Sequence, residues 1–577
     1  MAAFQGGDAV KHWVWLIPTL LGGALRFWGI TFGRPLTSNL YIRPDESLVI
    51  VSGVLGEPST YAYPAFFLQL ASLLFRFVGG DPATGFGLDP TPYYLVVRYA
   101  AALFGTGTVL LVFLIARRVL SGQWPMLAAL IYAVSPLAVR DSHYAVTDIP
   151  SVFFQTAVVW FALRYLDAEP GRAVREFWWA VVALGCSMNT KYAGVLLVTV
   201  LISAVWMRAR SNREAIPWGR LAGAFGAMVV AFAAVNPYLL MNLDRALAEI
   251  WSIVRVLYLW QPSDPPWTLA YALWQVVKPL GQGSGGWMGA ALAMAAMAYG
   301  AWKKDRQLML IAQPVLSTAL ILLPFQHTVP YRYLLPALPC IAILSAAVFA
   351  RIPRLPGPLA WGCATLLLAG VELTTSVRLV GLLRETDSRS LAGEWIQKNI
   401  PREMPVVWLG GPECEPQFIE SAASVERRIA FAYRRYGPVS GAIVSAPYEL
   451  MRKAKREAGV KGWEVYRNPP DGELPAGEFL LVTSEYPLKM TRFKLPVAAE
   501  SLRDLREAVV FRALRQGSEG CDGFELDLID AWFLPFRPLG CVDRPGPNIT
   551  VRHVRVETGA AAQREPRQHD PGGGQSH

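Results

Sequence analysis

The first two thirds of the chain consist of long apolar runs separated by short polar loops. Eleven runs lie near the length of about 20 residues that crosses a bilayer as a helix. These runs predict membrane-spanning helices at 13–32, 92–116, 124–140, 148–166, 177–190, 192–207, 217–241, 286–302, 307–325, 333–350 and 358–380. The fifth and sixth runs are short, and we expect them to meet in a hairpin near Asn189. The pattern therefore predicts a polytopic α-helical membrane protein.

Beyond residue 383 the pattern becomes that of a small α/β domain. Residues 388–400 carry apolar positions at helical spacing. Three short apolar runs are typical of buried strands: 405–411, 441–447 and 478–487. The last residues are rich in Ala, Gln, Pro and Gly, a composition that indicates disorder. We therefore divide the chain into a membrane domain 1–383, an α/β domain 384–557 and a disordered tail 558–577.

Two of the predicted loops are much longer than the others. The first covers residues 33–91, and its segment 61–80 has the pattern of an amphipathic helix lying in the membrane interface. The second covers residues 242–285, and its Gly and aromatic content predicts a flexible loop. Loops of this length are usually lids or binding loops, or are disordered.

The composition agrees with a membrane protein and excludes an ordinary soluble one. Hydrophobic residues make up 53% of the chain and charged residues only 17%. Of the 98 charged residues, 54 fall in residues 384–577, so the membrane domain has few. The net charge of +10 mostly reflects topology and requires no nucleic-acid partner.

The basic residues of the short loops predict the orientation. Arg and Lys are concentrated in alternate loops, at 116–118, 164–176, 208–220, 303–306 and 351–357. Because cytoplasmic loops carry such an excess, we expect these loops and the N-terminus on the cytoplasmic side of the plasma (inner) membrane. The C-terminal domain is then extracytoplasmic. The first run contains Arg26 and precedes many further spans, so we interpret it as a span and not as a cleaved signal peptide.

The six cysteines do not form a metal-binding pattern. Cys186, Cys340 and Cys363 fall in predicted spans, where they act as small apolar residues. A Cys521–Cys541 disulfide is possible in the extracytoplasmic domain. No CxxC pair or His/Cys cluster indicates a zinc site.

Five groups of polar residues fall on the predicted external side of the membrane. They are Arg43 with Asp45 and Glu46; Arg140, Asp141, His143 and Asp148; Asn189 and Lys191; Gln261 and Asp264; and His327, Tyr331 and Arg332. Ionisable residues at membrane depth are costly and usually functional. A carboxylate there could act as a general base, and the cations could hold a phosphate.

Each group also has a purely structural interpretation. Asp45 and Glu46 could be a solvated loop pair, and Lys191 and Arg332 could extend to the lipid headgroups. His143 could be a hydrogen-bonded structural group rather than a metal ligand. We expect Asp148 to cap the fourth span, with Pro150 near the helix start.

Several motifs resemble one family in their order and spacing. They are RPDE (43–46), YAYPAFFLQL (61–70), SPLAVRDSHYAVTDIPSVFF (135–154), GCSMNTKYAGVLL (185–197), VPYRYLLPALP (329–339) and DSRSLAGEWIQKNIP (387–401). They resemble the membrane glycosyltransferases of the C superfamily. Within it, they resemble the protein O-mannosyltransferases and the lipid A aminoarabinose transferase. The resemblance covers roughly residues 10–400.

The resemblance implies inverting sugar transfer from a polyprenyl-phosphate sugar. Asp45 matches the catalytic base of the first loop, and Glu46 matches its acidic neighbour, so both are expected to be catalytic. Further residues are expected to bind substrate: Asp148, Lys191, Arg332, His143, Tyr331 and Arg43. Lys191 and Arg332 would lie near the donor phosphate. Many relatives have His where this chain has Arg43, and the donated sugar is left open.

The expected partners are the lipid-linked donor, membrane lipid and an acceptor that is a protein, a lipid or a glycan. No cofactor is assigned, and a divalent cation near Glu46 and Asp148 is left open. An oligosaccharide ligase is an alternative within the same enzyme class. A transporter or flippase of lipid-linked sugars is an alternative from another class, although the chain shows no internal repeat of the transporter kind. A scaffold protein is a third alternative, but it leaves the charged groups unexplained.

Overall fold

The computed structural model describes most of the chain. The described residues are 13–38, 40, 44–258, 268–325, 329–352, 357–469, 474–475, 477–485, 506–515, 527, 534–536 and 539–555. Four residues from the predicted polar groups lie outside this part of the chain: Arg43, Gln261, Asp264 and His327. The predicted tail 558–577 also lies outside it.

Helices dominate the sequence up to residue 384. They are α1 (Leu16–Phe27), α2 (Pro44–Leu55), α3 (Phe66–Phe75), α4 (Pro82–Leu88), α5 (Thr91–Val119), α6 (Trp124–Ala133), α7 (Pro136–Asp141), α8 (Asp148–Asp167), α9 (Pro170–Thr190), α10 (Val198–Asn212), α11 (Trp218–Val235), α12 (Pro237–Met241), α13 (Leu243–Tyr258), α14 (Leu269–Val277), α15 (Gly286–Lys303), α16 (Arg306–Leu322), α17 (Leu338–Ala350), α18 (Gly357–Thr365) and α19 (Val371–Arg384). Short 3₁₀ segments run over Tyr192–Leu197, Lys278–Gln282 and Tyr331–Ala337, and a π-helical turn over Leu366–Gly370 joins α18 to α19.

The protein is a multi-pass membrane protein. Each of the eleven predicted spans coincides with helix in the described residues. Six helical stretches there are long and apolar enough to cross a membrane: Thr91–Val119, Asp148–Asp167, Tyr192–Asn212, Trp218–Val235, Tyr331–Ala350 and Pro358–Asn399. The other predicted spans coincide with described helices that do not combine this length with this apolar character, so a count of eleven crossings stays a prediction.

The two long loops contain helices of their own. The first loop carries α2, α3 and α4, and the second carries α13 and α14. The predicted interfacial helix is shorter than expected, because α3 covers only Phe66–Phe75 of the segment 61–80. The second loop, for which flexibility is predicted, contains two regular helices, α13 and α14.

The chain from residue 388 onward combines helices with a five-stranded sheet. Two helices lie there, α20 (Ser388–Asn399) and the long α21 (Ala422–Glu457), which is kinked at Gly437. The strands are β1 (Val406–Leu409), β2 (Val465–Arg467), β3 (Glu478–Glu485), β4 (Arg506–Phe511) and β5 (Asn548–Arg555). Their order is β2-β1-β3-β5-β4, with β1 parallel to β2 and β3, and β5 antiparallel to β3 and β4.

Two of the three predicted strands are found as strands, at β1 and β3. The third prediction is wrong, because residues 441–447 lie inside α21. A short apolar run cannot be told from a segment of buried helix by its pattern alone.

The C-terminal region packs directly on the first loop. One buried apolar cluster joins Val49 and Ile50 of α2 to Val425 and Ile429 of α21. Phe67 of α3 and Tyr93 of α5 belong to the same cluster, so helices from both parts of the chain share it.

The cysteines divide into thiols and a disulfide. Cys541 is disulfide-bonded, and four other cysteines are free: Cys186, Cys340, Cys363 and Cys414. This agrees with the Cys521–Cys541 pairing; Cys521 itself lies outside the described residues.

Candidate active site

A cavity of about 420 Å³ opens where the first loop meets the membrane helices. Its wall is built from the first turn of α2, the start of α8, the 3₁₀ segment that follows α9, and the helices α13 and α16. Four charged side chains from distant parts of the sequence line it: Asp45, Asp148, Lys191 and Arg332. The structure thus brings together four of the residues that the sequence singled out.

The four charges form two ion pairs. The Arg332 guanidinium donates to the Asp45 carboxylate, and the Lys191 ammonium donates to the Asp148 carboxylate. Asp45 side-chain exposure is 21% and that of Asp148 is 2%, so Asp45 is the more accessible base. Within each pair the two charges neutralise each other, which lowers the free-energy cost of placing charge in an apolar cavity.

Local structure places both carboxylates at helix starts. Asp45 lies in the first turn of α2, and Asp148 is the first residue of α8. Negative charge is favourable at these positions because the first backbone N–H groups of a helix are unpaired. The expected cap is therefore off by one residue: Thr147 occupies the cap position, and the Asp148 carboxylate faces Lys191.

One tyrosine lies beside the cations of both ion pairs, and a second lines the same cavity. The Tyr333 ring centroid lies 4.8 Å from Lys191 Nζ and 5.6 Å from the guanidinium carbon of Arg332. Tyr63 also lines the cavity. Burial raises the pKa of the Tyr63 phenol well above its usual value, and the nearby Asp45 and Asp148 carboxylates raise it further. Tyr63 therefore stays protonated and can donate a hydrogen bond into the cavity.

The rest of the wall is largely apolar. It includes Leu196 and Leu197 after α9, Ile250 and Ile253 of α13, and Ile321 of α16. A cavity with ion pairs on an otherwise apolar wall suits an amphiphile with an anionic head and a hydrocarbon tail.

Glu46 does not share the cavity with Asp45. It is fully buried and forms a bidentate pair with Arg98, with N–O distances of 2.8 and 2.7 Å. The backbone N–H of Ala145 also donates to Glu46, at 2.7 Å. Arg98 in turn donates to the Phe32 carbonyl at 2.8 Å. Glu46 therefore ties α2 to α5 and to the segment before α8.

His143 and Tyr331 also lie outside the cavity wall. His143 is wholly buried, with its ring nitrogens 2.8 Å from the Val139 carbonyl and 2.9 Å from the Trp28 carbonyl. Burial lowers the pKa of His143 to about 4. Tyr331 is 3% exposed, and its ring stacks on that of Phe536. Arg43 falls outside the described residues.

A metal site does not emerge from the described side chains. Within that part of the chain, no group of three or more His, Cys, Asp and Glu residues could hold an ion. Glu46 and Asp148, between which a divalent cation was left open, are each paired with a different cationic side chain. Arg98 bonds to both Glu46 oxygens, and Lys191 bonds to Asp148.

Several cavity residues were missed by the sequence analysis. Tyr63 lies inside the motif YAYPAFFLQL, and Tyr333 directly follows Arg332 inside the motif VPYRYLLPALP. The sequence could therefore have suggested that both lie near the site. The contribution of α13 could not be predicted in this way. Its sequence shows only an amphipathic pattern, which does not reveal what the apolar face covers.

Comparisons with known proteins match part of the chain. Residues 94–240 match the dolichyl-phosphate-mannose-protein mannosyltransferase family. This stretch contains Asp148 and Lys191, whereas Asp45 and Arg332 lie outside it.

Two curated relatives and a solved structure are similar to the chain. Undecaprenyl phosphate-alpha-4-amino-4-deoxy-L-arabinose arabinosyl transferase 2 of Pseudomonas fluorescens (strain Pf0-1) is 29% identical over 229 residues, which are 37% of this chain and 39% of that protein. Dolichyl-phosphate-mannose–protein mannosyltransferase 1 of Saccharomyces cerevisiae is 28% identical over 126 residues, 21% of this chain and 15% of that protein. The crystal structure of ArnT from Cupriavidus metallidurans bound to undecaprenyl phosphate aligns over 94% of this chain and 98% of that chain, with 12% identity and a TM-score of 0.46.

The matched region spans about two fifths of the length of the first curated relative. Both curated relatives are named as sugar transferases of the two kinds that the sequence motifs suggested. The resemblance to C-superfamily membrane glycosyltransferases of the O-mannosyltransferase and aminoarabinose transferase type is thus confirmed, and residues 94–240 carry the match to the dolichyl-phosphate-mannose-protein mannosyltransferase family.

Proposed function

We propose that the protein is an inverting membrane glycosyltransferase. It moves a sugar from a polyprenyl-phosphate donor to an acceptor hydroxyl of a protein, a lipid or a glycan. The observation that carries this proposal is the gathering of Asp45, Asp148, Lys191 and Arg332 in one cavity whose remaining wall is largely apolar. The names of the relatives support it, since both act on polyprenyl-phosphate-linked sugars.

The residue types suit each step of the transfer. Asp45 accepts the proton of the acceptor hydroxyl, and the resulting oxygen nucleophile attacks the anomeric carbon of the sugar. The bond from that carbon to the phosphate oxygen breaks on the opposite face, so the configuration inverts. The lipid leaves as a phosphate monoester, and its bonding electrons stay on the phosphate oxygen.

Lys191 and Arg332 would stabilise the leaving group. The donor is a phosphodiester with one negative charge, and a second charge develops on the phosphate as the sugar departs. Two cations in a low-dielectric cavity are well placed to stabilise charge that grows in the transition state. Asp148 would hold the Lys191 ammonium in position through their ion pair.

The apolar wall would hold the first isoprene units of the donor. Side chains from α13, α16 and the segment after α9 supply this part of the wall. Apolar contact there adds affinity of about 25 cal/mol for each Å² removed from water.

The cavity would open on the extracytoplasmic side. Helix α8 has 20 residues, so its ends lie about 30 Å apart, near the thickness of the hydrocarbon layer. Asp148 stands at one end, and Arg164 and Asp167 stand at the other, beside a basic loop. From the positive-inside pattern, we expect that basic end to lie in the cytoplasm.

The decisive experiment measures sugar transfer in membranes. Radiolabelled polyprenyl-phosphate hexoses and pentoses are supplied, and label in endogenous acceptors is compared for wild type and Asp45→Asn at equal expression. We expect the wild type to transfer one of these sugars and Asp45→Asn to lose about a thousandfold or more of the rate, as is typical when a general base is removed.

Asp244→Asn is the matched control, because Asp244 is an exposed residue in the first turn of α13. Full transfer by Asp45→Asn would remove the base assignment. Movement of labelled lipid across the bilayer without transfer to any acceptor would favour the flippase alternative.

A further inference from the structure

The C-terminal region holds the chain just before Asp45. Gln417 Oε1 accepts hydrogen bonds from the backbone N–H groups of Thr37 and Ser38, at 2.9 and 3.1 Å, and from the Thr37 hydroxyl at 3.2 Å. Arg428 donates to the Ser38 carbonyl at 2.9 Å. The Phe418 backbone N–H donates to the Ser38 hydroxyl at 2.8 Å. Every polar group of Ser38 is therefore bonded to the C-terminal region.

A buried network of ion pairs holds Arg428, which donates to Ser38, in place. Arg428 forms ion pairs with Glu415 and Glu420, and all three side chains are buried. Arg467 of β2 pairs with the same two carboxylates. Because α21 also packs on α2 through a shared apolar cluster, both the approach to Asp45 and the helix that bears it rest on the C-terminal region.

The same region holds the chain beside Arg332. The Phe536 ring stacks on that of Tyr331, which directly precedes Arg332, with centroids 5.5 Å apart and planes at 9°. The Arg140 guanidinium lies 4.7 Å from the Phe536 ring centroid and pairs with Asp527 at 2.9 Å. Phe536 is 1% exposed and belongs to the core cluster of the membrane helices.

Asp45 and Arg332 are 287 residues apart, so their contact depends on how two separate segments are held. We propose that the C-terminal region is the positioning element of this pair, with Gln417 acting on the Asp45 side and Phe536 on the Arg332 side. The inference rests on the proposed function for its catalytic meaning. A displacement of about 1 Å in a reacting group costs roughly a hundredfold in rate, so loosening either contact lowers turnover.

The test uses two variants and a matched control in the full-length protein. Gln417→Met removes the acceptor at similar size, and Phe536→Leu removes the stacked ring. Asn468→Gly is the control: the Asn468 side chain bonds to Gly410, inside the C-terminal region, and its φ of 41° suits glycine. The backbone bond from Asn468 N–H to the Trp408 carbonyl is kept in this variant. Hydrogen–deuterium exchange and transfer kinetics are measured for each.

We expect each variant to loosen its own side of the pair. Gln417→Met raises exchange in peptides covering α2, and Phe536→Leu raises it in peptides covering residues 329–336. Both lower kcat about tenfold to a hundredfold, with a smaller change in KM for the donor. The double variant loses less than the product of the two effects, because both act on one ion pair. Asn468→Gly leaves kcat and both sets of peptides unchanged.

Unchanged exchange in α2 and in residues 329–336 would overturn the inference, as would equal kcat losses in the control. The exchange measurement does not need turnover. If no donor supports transfer even by the wild type, the proposed function fails, while the exchange data still show whether the C-terminal region positions the pair.

Discussion

Asp45 and Glu46 are sequence neighbours with opposite surroundings. Successive residues of a helix project about 100° apart, so one can face a cavity while the next faces the core. Asp45 keeps 21% of its side-chain surface exposed, whereas Glu46 has none and is paired with Arg98. The two carboxylates should therefore respond to substitution in different ways.

Replacing Glu46 should unfold the protein before it alters the chemistry. Glu46→Gln leaves the buried Arg98 charge without its counterion, which costs about 3–5 kcal/mol. We expect a lower thermal unfolding temperature in detergent for Glu46→Gln, and nearly the wild-type value for Asp45→Asn. The double variant Glu46→Gln with Arg98→Met should recover most of the loss. A Glu46→Gln protein as stable as the wild type but without transfer would instead place Glu46 in the chemistry.

At this scale the sequence grouped the candidate residues by the side of the membrane on which they fall. Asp45, Asp148, Lys191 and Arg332 were grouped because the alternation of spans put them on one face, and the structure gathers them. His143 and Tyr331 were grouped by the same argument but are turned into the core. Sidedness fixes the height of a residue along the membrane normal, but the direction of its side chain depends on packing between distant helices.

Among the elements, α13 is attached to the first loop by polar contacts. Glu249 accepts from the Thr60 hydroxyl at 2.9 Å and from the Tyr61 backbone N–H at 2.7 Å. Arg245 pairs with Glu249 and donates to the Ser59 carbonyl. The apolar residues of α13 that line the cavity are thus held by a polar attachment to the first loop.

Releasing α13 should weaken binding of the donor tail. Glu249→Ala removes both bonds to the first loop, and each buried hydrogen bond of this kind is worth about 1 kcal/mol or more. We expect KM for a long-chain donor to rise about tenfold, equivalent to 1.4 kcal/mol, with a smaller change for a short-chain donor. Asp244→Ala, on an exposed position of the same helix, serves as the control. Equal shifts for both chain lengths would contradict a role in holding the tail.

The elements themselves were predicted unevenly. Long apolar runs give α5 and α8 nearly to the residue, because a bilayer sets their length. The C-terminal region lacks that constraint, and residues 441–447 belong to α21 although their apolar run resembles a strand. The helical state of this segment is determined by the rest of α21 on both sides of it, which packs against α4 and α2.

For the whole molecule, the charged network around Arg428 links the sheet to the first loop. Burial alone would raise the pKa of Glu420, but the neighbouring Arg428 and Arg467 outweigh it and lower the pKa to about 2. A depressed carboxyl pKa stabilises the fold above the unfolded value of 4.5, and the stabilisation is lost as pH falls towards 2.

The pH dependence of Glu420→Gln should show this linkage. We expect the variant to unfold at a lower temperature than the wild type at pH 6, and the difference to shrink as the pH is lowered from 4.5 towards 2. Glu426→Gln, at a half-exposed position of α21, which begins just after Glu420, should show no such trend. A constant difference between wild type and Glu420→Gln over this range would show that the carboxylate charge does not stabilise the fold.

The proposed orientation can be checked by labelling from outside the cell. In a background without free thiols, Arg172→Cys and Glu457→Cys place single cysteines at exposed positions of α9 and α21. We expect a membrane-impermeant maleimide to label position 457 in intact cells, and position 172 only after permeabilisation. Labelling with the opposite sidedness would invert the topology and place the cavity on the cytoplasmic side.

On the proposed function, the two ion pairs in the cavity also bear on how a catalytic cycle ends. The spent lipid carries one more negative charge than the donor, so cations that assist departure also grip the spent lipid more tightly than the fresh one. Asp45 and Asp148 lie within reach of those cations and act as tethered competitors for them. Return of each carboxylate to its partner would expel the spent lipid, so the resting pairs would serve as the reset step of the cycle and favour repeated turnover over product inhibition.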